Sequence, residues 1–160
     1  MHKIYYLFGS DGSGKTTLSR AIQDTTKGHN IHATYNESWS MKEYHVNLIL
    51  NAECLAIYQP VVLDRWAIDE YVYGTVFRGD ESYDTEELIN LHKDNITFIY
   101  CRPTGIIDKF NELKHTRKEM FDDMSMVVDT FDKYVKDSKL PIIKYDYTKH
   151  NISDFVKEIV

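Results

Sequence analysis

Gly9-Ser10-Asp11-Gly12-Ser13-Gly14-Lys15-Thr16 constrains this chain more than any other segment. It satisfies the spacing G-x-x-x-x-G-K-[ST], and it follows Lys3 to Phe8, a run that is almost wholly apolar and aromatic. Such a run reads as a strand buried on both faces. Thr16 to Thr26 then carries Leu18 and Ile22 on one face and reads as a helix. Between strand and helix the composition is what a polyphosphate needs. Glycines at 9, 12 and 14 remove side chains so that the main chain can approach a polyanion closely. The N–H groups of Gly12, Ser13, Gly14 and their neighbours can wrap phosphates at a helix N-terminus, where the dipole favours negative charge. Lys15 adds a point charge, and the hydroxyl of Thr16, followed by Thr17, can ligate a magnesium ion.

The rest of the chain alternates in the same way. Gly28-His29-Asn30 breaks the chain before a second strand, expected over 31–35. Ser40 and Glu43 have capping-box spacing and open a long helix bearing Val46, Ile49, Leu50, Leu55 and Ile57, which Pro60 stops. Val61-Val62-Leu63 is a short third strand ending in Asp64-Arg65, with a helix expected over 66–77. Asp84 with Glu87 caps a helix through His92; strands follow over 96–100 and 141–145. Helices are expected over 106–113, 120–138 and 151–160, the last capped by Asn151, and a polar run at 114–119 interrupts the series. Five strands alternating with helices predict an α/β fold: a three-layer, doubly wound, five-stranded parallel sheet with helices on both faces. No repeat or linker divides it, so 1–160 is expected to be one domain.

Charge and composition exclude several classes. With 19 Lys+Arg against 25 Asp+Glu the net charge is −6, which gives no footprint for stable binding to nucleic acid. No 18-residue apolar run predicts a membrane span, and the apolar stretch from Ile4 is too short for a signal peptide. Two cysteines, Cys54 and Cys101, rule out a disulfide-stapled fold and fit a reducing cytoplasm. His29 and His32 read as solvated residues near a strand start.

Asp64 closes an apolar strand, and in a doubly wound sheet ligands gather at the carboxyl ends of strands. An Asp there can hold a magnesium shell, and Arg65 beside it offers a rigid fork for an anionic acceptor. Together with Tyr73 and the segment Tyr145-Asp146-Tyr147-Thr148, these residues resemble the thymidylate kinase family of phosphate-binding-loop nucleoside monophosphate kinases. The cradle matches that family's, including an acidic residue at its third position, and Asp64-Arg65-Trp66 is similar to the family's Asp-Arg-Tyr segment.

The resemblance implies an ATP- and Mg2+-dependent transfer of the γ-phosphoryl to a deoxynucleoside monophosphate such as dTMP. It implies that Asp11 accepts from the sugar 3′-hydroxyl, that Arg65 grips the 5′-phosphate, and that Tyr73 packs on the sugar. It places Tyr147 on the adenine side, and Arg117, with Lys114 and Lys118, in a short cationic lid near 114–119. The partner expected is a small-molecule deoxynucleotide, with a homodimer allowed, and neither nucleic acid nor membrane. Departures are visible too. Gly12 stands where some members carry a catalytic arginine, and Leu50 and Cys54 stand where the family reads thymine. Glu70 takes the place of a base-reading amide or hydroxyl and can accept from ring N–H groups, so thymine, guanine and a modified pyrimidine stay open. Glu37, just after the second strand, is where a deoxynucleoside kinase would place a general base, and that enzyme is the alternative. A non-catalytic nucleotide-binding module is a second alternative, disfavoured by the intact Lys15, Thr16, Asp64 and Arg65. An enzyme acting on polynucleotide ends is a third, disfavoured by the charge.

Overall fold

Ile4–Phe8 (β1) is buried at all five positions, and the other strands are arranged around it. They are β2 (His29–His32), β3 (Val61–Asp64), β4 (Ile96–Cys101) and β5 (Ile142–Tyr145), in a computed structural model that describes residues 1–114 and 123–160. All pair in parallel, in the order β2-β3-β1-β4-β5. The helices are α1 (Lys15–Thr26), α2 (Met41–Ala56), α3 (Ala67–Arg78), α4 (Thr85–His92), α5 (Ile106–Lys114), α6 (Met124–Asp137) and α7 (Ile152–Ile159), with a 3₁₀ turn at Lys93–Asn95. The expected α/β fold, a five-stranded parallel sheet between two helical layers, is present.

Alternation along each strand divides the core in two. Ile4, Tyr6 and Phe8, with Val61, Leu63, Ile96, Phe98 and Tyr100, face the layer of α2, α3 and α6. Tyr5 and Leu7, with Val62, Ile99 and Cys101, face α1 and α7. Tyr6 centres the first cluster, its ring 5.4 Å from Phe8, 5.6 Å from Trp66 and 5.9 Å from Phe98. Burying each such side chain is worth about 1.5–3 kcal/mol.

The expected caps are in place. Ser40 accepts from the Glu43 N–H, Asp84 from Glu87, and Asn151 from Ser153 and Asp154. Three details differ from the sequence reading. The second strand lies at 29–32 rather than 31–35, because His29 donates to the Pro60 carbonyl at 2.8 Å and pairs from there with β3. The apolar spacing of Ile31, Ala33 and Tyr35 continues past the point where the ladder stops. On α2 the buried line is Met41, His45, Leu48, Ile49, Ala52 and Ala56, while Leu50 and Ile57 face outward. Small alanines mark where that helix approaches the sheet, a signal that a search for large apolar residues passes over. Trp66 lies outside α3 and caps it. Arg117 and the rest of the polar run beyond Lys114 lie outside the described residues.

One buried carboxylate fixes the loops on the β4–β5 side. Asp146 Oδ2 accepts from the Thr104 N–H (3.0 Å) and hydroxyl (2.6 Å), and Oδ1 from the Thr148 N–H (2.9 Å) and hydroxyl (2.6 Å). Burial pushes its pKa up, but those donors outweigh it and hold the group at about 2, below the ordinary 3.8. The folded chain therefore binds this proton less readily than the unfolded one. The stabilisation is complete above about pH 4 and disappears as the pH falls through about 2. Asp146→Ala is expected to lower stability by about 2–3 kcal/mol at neutral pH. In denaturant titrations the difference from the unaltered chain should narrow steadily below about pH 4.

Candidate functional site

β1 ends at Phe8, and Gly9 turns the chain with φ 144°. No other residue fits there: a Cβ on Gly9 would stand 2.5 Å from the Cys101 carbonyl oxygen. Gly14 has φ 88°, and a Cβ on it would meet the Tyr147 ring at 2.9 Å. Gly12, at φ 70°, has open space around it. The loop is thus pressed between the exits of β4 and β5 on one side and is open at Gly12 on the other. Lys15 opens α1, and its ammonium turns back onto the loop, donating to the carbonyls of Gly9 (2.8 Å) and Ser10 (2.6 Å) and to the Ser13 hydroxyl (3.1 Å). Burial lowers its pKa, the Arg65 charge lowers it further, and Asp69 and Asp64 oppose both.

The parallel register sets Leu7 against Asp64, so the acidic end of β3 lies beside the loop. Asp64 is buried. Its Oδ2 lies 3.1 Å from His32 Nδ1, while Oδ1 has no hydrogen-bond partner. His32, at the end of β2, is half exposed, as expected of a solvated residue, and strand pairing also carries it to Asp64. Arg65 takes φ 72°, a region non-glycine residues seldom enter, and donates its N–H to the Leu7 carbonyl at 3.1 Å. Its Nη2 bonds Asp11 Oδ1 at 2.5 Å, and its guanidinium carbon stands 5.3 Å from the centre of the Tyr73 ring. Burial alone would lower the pKa of this guanidinium, but Asp69, Tyr73 and Asp11 carry it upward, so it stays charged.

Two cavities meet at this point. One, of about 640 Å³, is lined by Asp11, Gly12, Ser13, Gly14, Lys15, Thr16, Thr17, Asp64, Tyr145 and Tyr147. The other, of about 500 Å³, is bounded mainly by Tyr35, Met41, His45, Trp66, Tyr73 and Phe77. Asp11, His32 and Arg65 border both. Of the residues singled out in the sequence, the cradle, Asp64, Arg65, Tyr73 and Tyr147 come together here. Glu70 also lines the second cavity, but its Oε1 already accepts from Arg78 and from the Ser82 N–H and hydroxyl. Glu37 is exposed and borders neither cavity.

Sequence reading missed His32, His45, Asp69 and Arg78. His45 bonds the Tyr83 hydroxyl through Nδ1 at 2.6 Å, and burial holds its pKa at about 4, with Glu70 opposing, so it is neutral. Arg78 lies 4.8 Å over the Tyr35 ring. For Asp69 a signal existed: it stands four residues after Arg65, one helical turn on.

A first cavity wrapped by a glycine loop and a helix N-terminus suits an anion; a second with aromatic walls suits a flat, partly apolar group. The orphaned Asp64 Oδ1 and the Thr16 hydroxyl line the same cavity and fit a hydrated magnesium ion that arrives with a phosphate. Among the described residues no group of three or more His, Cys, Asp or Glu holds a metal unaided.

No family model and no curated protein matches the chain. Solved structures do. The YorR protein of Bacillus subtilis, in complex with phosphorylated GDP, superposes with a TM-score of 0.74 at 16% identity over 98% of this chain and 93% of its own. A deoxyadenosine kinase from M. mycoides, with dCMP and a flexible dCDP bound as products, gives 0.58 at 13% identity over 98% and 96%. A thymidylate kinase from Ehrlichia chaffeensis gives 0.55 at 12% identity over 97% and 94%. The chain therefore has the phosphate-binding-loop, nucleoside-monophosphate-kinase-like fold, and at these identities the likeness is one of fold.

Proposed function

We propose that this protein is an ATP-dependent deoxynucleoside monophosphate kinase of the thymidylate kinase kind, one domain acting in the cytoplasm. The observation that carries the reading is the position of Arg65 and Asp11 at the seam between a phosphate-shaped cavity and an aromatic one. ATP would lie along the loop with its phosphates at Lys15 and its adenine toward Tyr147. The acceptor would lie in the second cavity, its phosphate at Arg65 and its sugar against Asp11 and Tyr73. Magnesium, held by Thr16 and through water by Asp64, would neutralise charge on the phosphates. No covalent step on the protein is needed: Lys15 and Arg65 position two polyanions and offset the charge that spreads in the transition state. The Bacillus and mycoplasma proteins that share this fold have nucleotides bound, and both free cysteines suit a reducing compartment.

A nucleoside acceptor would need a base for its hydroxyl. Glu37, outside both cavities, is poorly placed for that work, which favours the monophosphate. The test is a panel of nucleosides and nucleoside monophosphates incubated with ATP and magnesium and scored for new products. New diphosphates are the expected result; new monophosphates from nucleosides, or no transfer at all, would overturn the reading.

Two variants sharpen it. Lys15→Ala should keep its fold and lose turnover by at least about a hundredfold, read by coupled assay. Arg65→Ala should raise the KM for the acceptor by about tenfold or more and leave the KM for ATP within about twofold.

A further inference from the structure

Asp69, in the first turn of α3, is a buried carboxylate whose two oxygens differ. Oδ2 accepts from the Tyr6 hydroxyl at 2.7 Å and from the Trp66 N–H at 3.0 Å, closing the helix N-terminus. Oδ1 is buried without a hydrogen-bond partner and lies 3.7 Å from Arg65 Nη1. Capping uses the first oxygen and needs no charge, since a neutral amide carbonyl would accept the same two donors. The second oxygen is a buried anion that an apolar neighbourhood disfavours, and only a cation beside it compensates. Burial raises the pKa of Asp69, and Arg65 and then Lys15 pull it back, so both cations share this counter-charge.

Arg65 is therefore held from two sides of unequal permanence. Asp11 takes Nη2 from an exposed position in the glycine loop, with 66% of its side chain accessible. Asp69 faces Nη1 from the interior, with 7% accessible. In the functional reading above, Asp11 and Arg65 both turn to the acceptor, one to its sugar and one to its phosphate, so their mutual bond must open. Contact with Asp69 need not open, because it uses the other terminal nitrogen.

We infer that Asp69 is the positioning residue of Arg65, the fixed anion that keeps the guanidinium aimed at the acceptor phosphate while Asp11 exchanges partners. The inference rests on the acceptor assignment made above, yet its structural half can be measured without any ligand. Tyr6 belongs to the same device: its hydroxyl donates to Asp69 and accepts from the N–H groups of Ile68 (3.0 Å) and Asp69 (3.3 Å), so the central strand fixes the carboxylate.

The test compares the unaltered chain with Asp69→Asn, which preserves size and the capping acceptor but removes the charge. Asp84→Ala, which removes the cap of α4 far from the site, serves as a control for lost stability alone. Proton–nitrogen spectra of the Arg65 guanidinium, taken without nucleotide, should shift or broaden in Asp69→Asn and stay unchanged in Asp84→Ala. In kinetic assays with dTMP and dGMP as probes, Asp69→Asn should raise the acceptor KM about tenfold, with the ATP KM within about twofold. Tyr6→Phe, which frees the same carboxylate without neutralising it, should move both readouts in the same direction by less, and it stands in should Asp69→Asn not fold. Arg65 signals and an acceptor KM that remain unchanged would overturn the inference, as would equal losses for ATP and acceptor. If the unaltered chain transfers no phosphoryl group, the functional reading fails, and the ligand-free Arg65 spectrum alone decides the role of Asp69.

Discussion

Two cations, Lys15 and Arg65, stand close enough in the interior of the site for the Arg65 charge to disfavour that of Lys15. Like charges so placed are tolerated only where anions compensate them in a low-dielectric setting. Asp64 and Asp69 do so for Lys15, and Asp69 and Asp11 for Arg65. The three carboxylates arrive from three parts of the chain: the loop after β1, the last residue of β3 and the first turn of α3. Their convergence is the constraint around which the rest of the site is arranged.

Strand register achieves the convergence. Because Leu7 pairs with Asp64 and His32 with the same residue, the carboxyl ends of β2, β3 and β1 finish side by side. On the other flank Phe8 pairs with Tyr100 and Cys101 with Tyr145, which presses the exits of β4 and β5 against the loop. Gly9 and Gly14 are consequences of that pressure, one facing the Cys101 carbonyl and the other the Tyr147 ring. Glycine at those two positions serves packing and backbone conformation, and Gly12 is the one that leaves open space for a ligand. Asp146, tying Thr104 to Thr148, keeps together the two exits against which the glycine loop is pressed.

Much of this was legible in the chain itself. Strands buried on both faces announce themselves as unbroken apolar runs, and β1, β3 and β4 lie where those runs lie. Caps are equally plain, since Ser40, Asp84 and Asn151 act within three residues of themselves. Asp64 and Arg65 stand at the end of β3 as the sequence places them, because a strand end is a fixed place in a parallel sheet. β2 was misplaced by two residues because one face of an edge strand carries little apolar information, and its register is set by Pro60 and β3 instead. His32 and Asp69 escaped for a different reason. Their partners Asp64 and Tyr6 lie 32 and 63 residues away; nothing local distinguishes His32 from a surface histidine, and the i,i+4 spacing of Asp69 from Arg65 was the one local sign it carried.

Glu70 shows the same limit from the opposite direction. The resemblance puts Glu70 where a base-reading amide or hydroxyl would stand, which implies a carboxylate able to accept from ring N–H groups. In the folded chain Arg78, eight residues on, and Ser82, in the turn after α3, take up its Oε1. Three donors thus meet one oxygen of this buried carboxylate, and the guanidinium among them lies over the Tyr35 ring beside the aromatic cavity. The charge that meets a ligand entering there is consequently positive as well as negative: Arg78 at the outer wall, Arg65 at the inner seam, each anchored by a carboxylate behind it. Two neighbouring carboxylates in the first turn of α3 thus face two arginines, Asp69 facing Arg65 just before the helix and Glu70 facing Arg78 in its last turn.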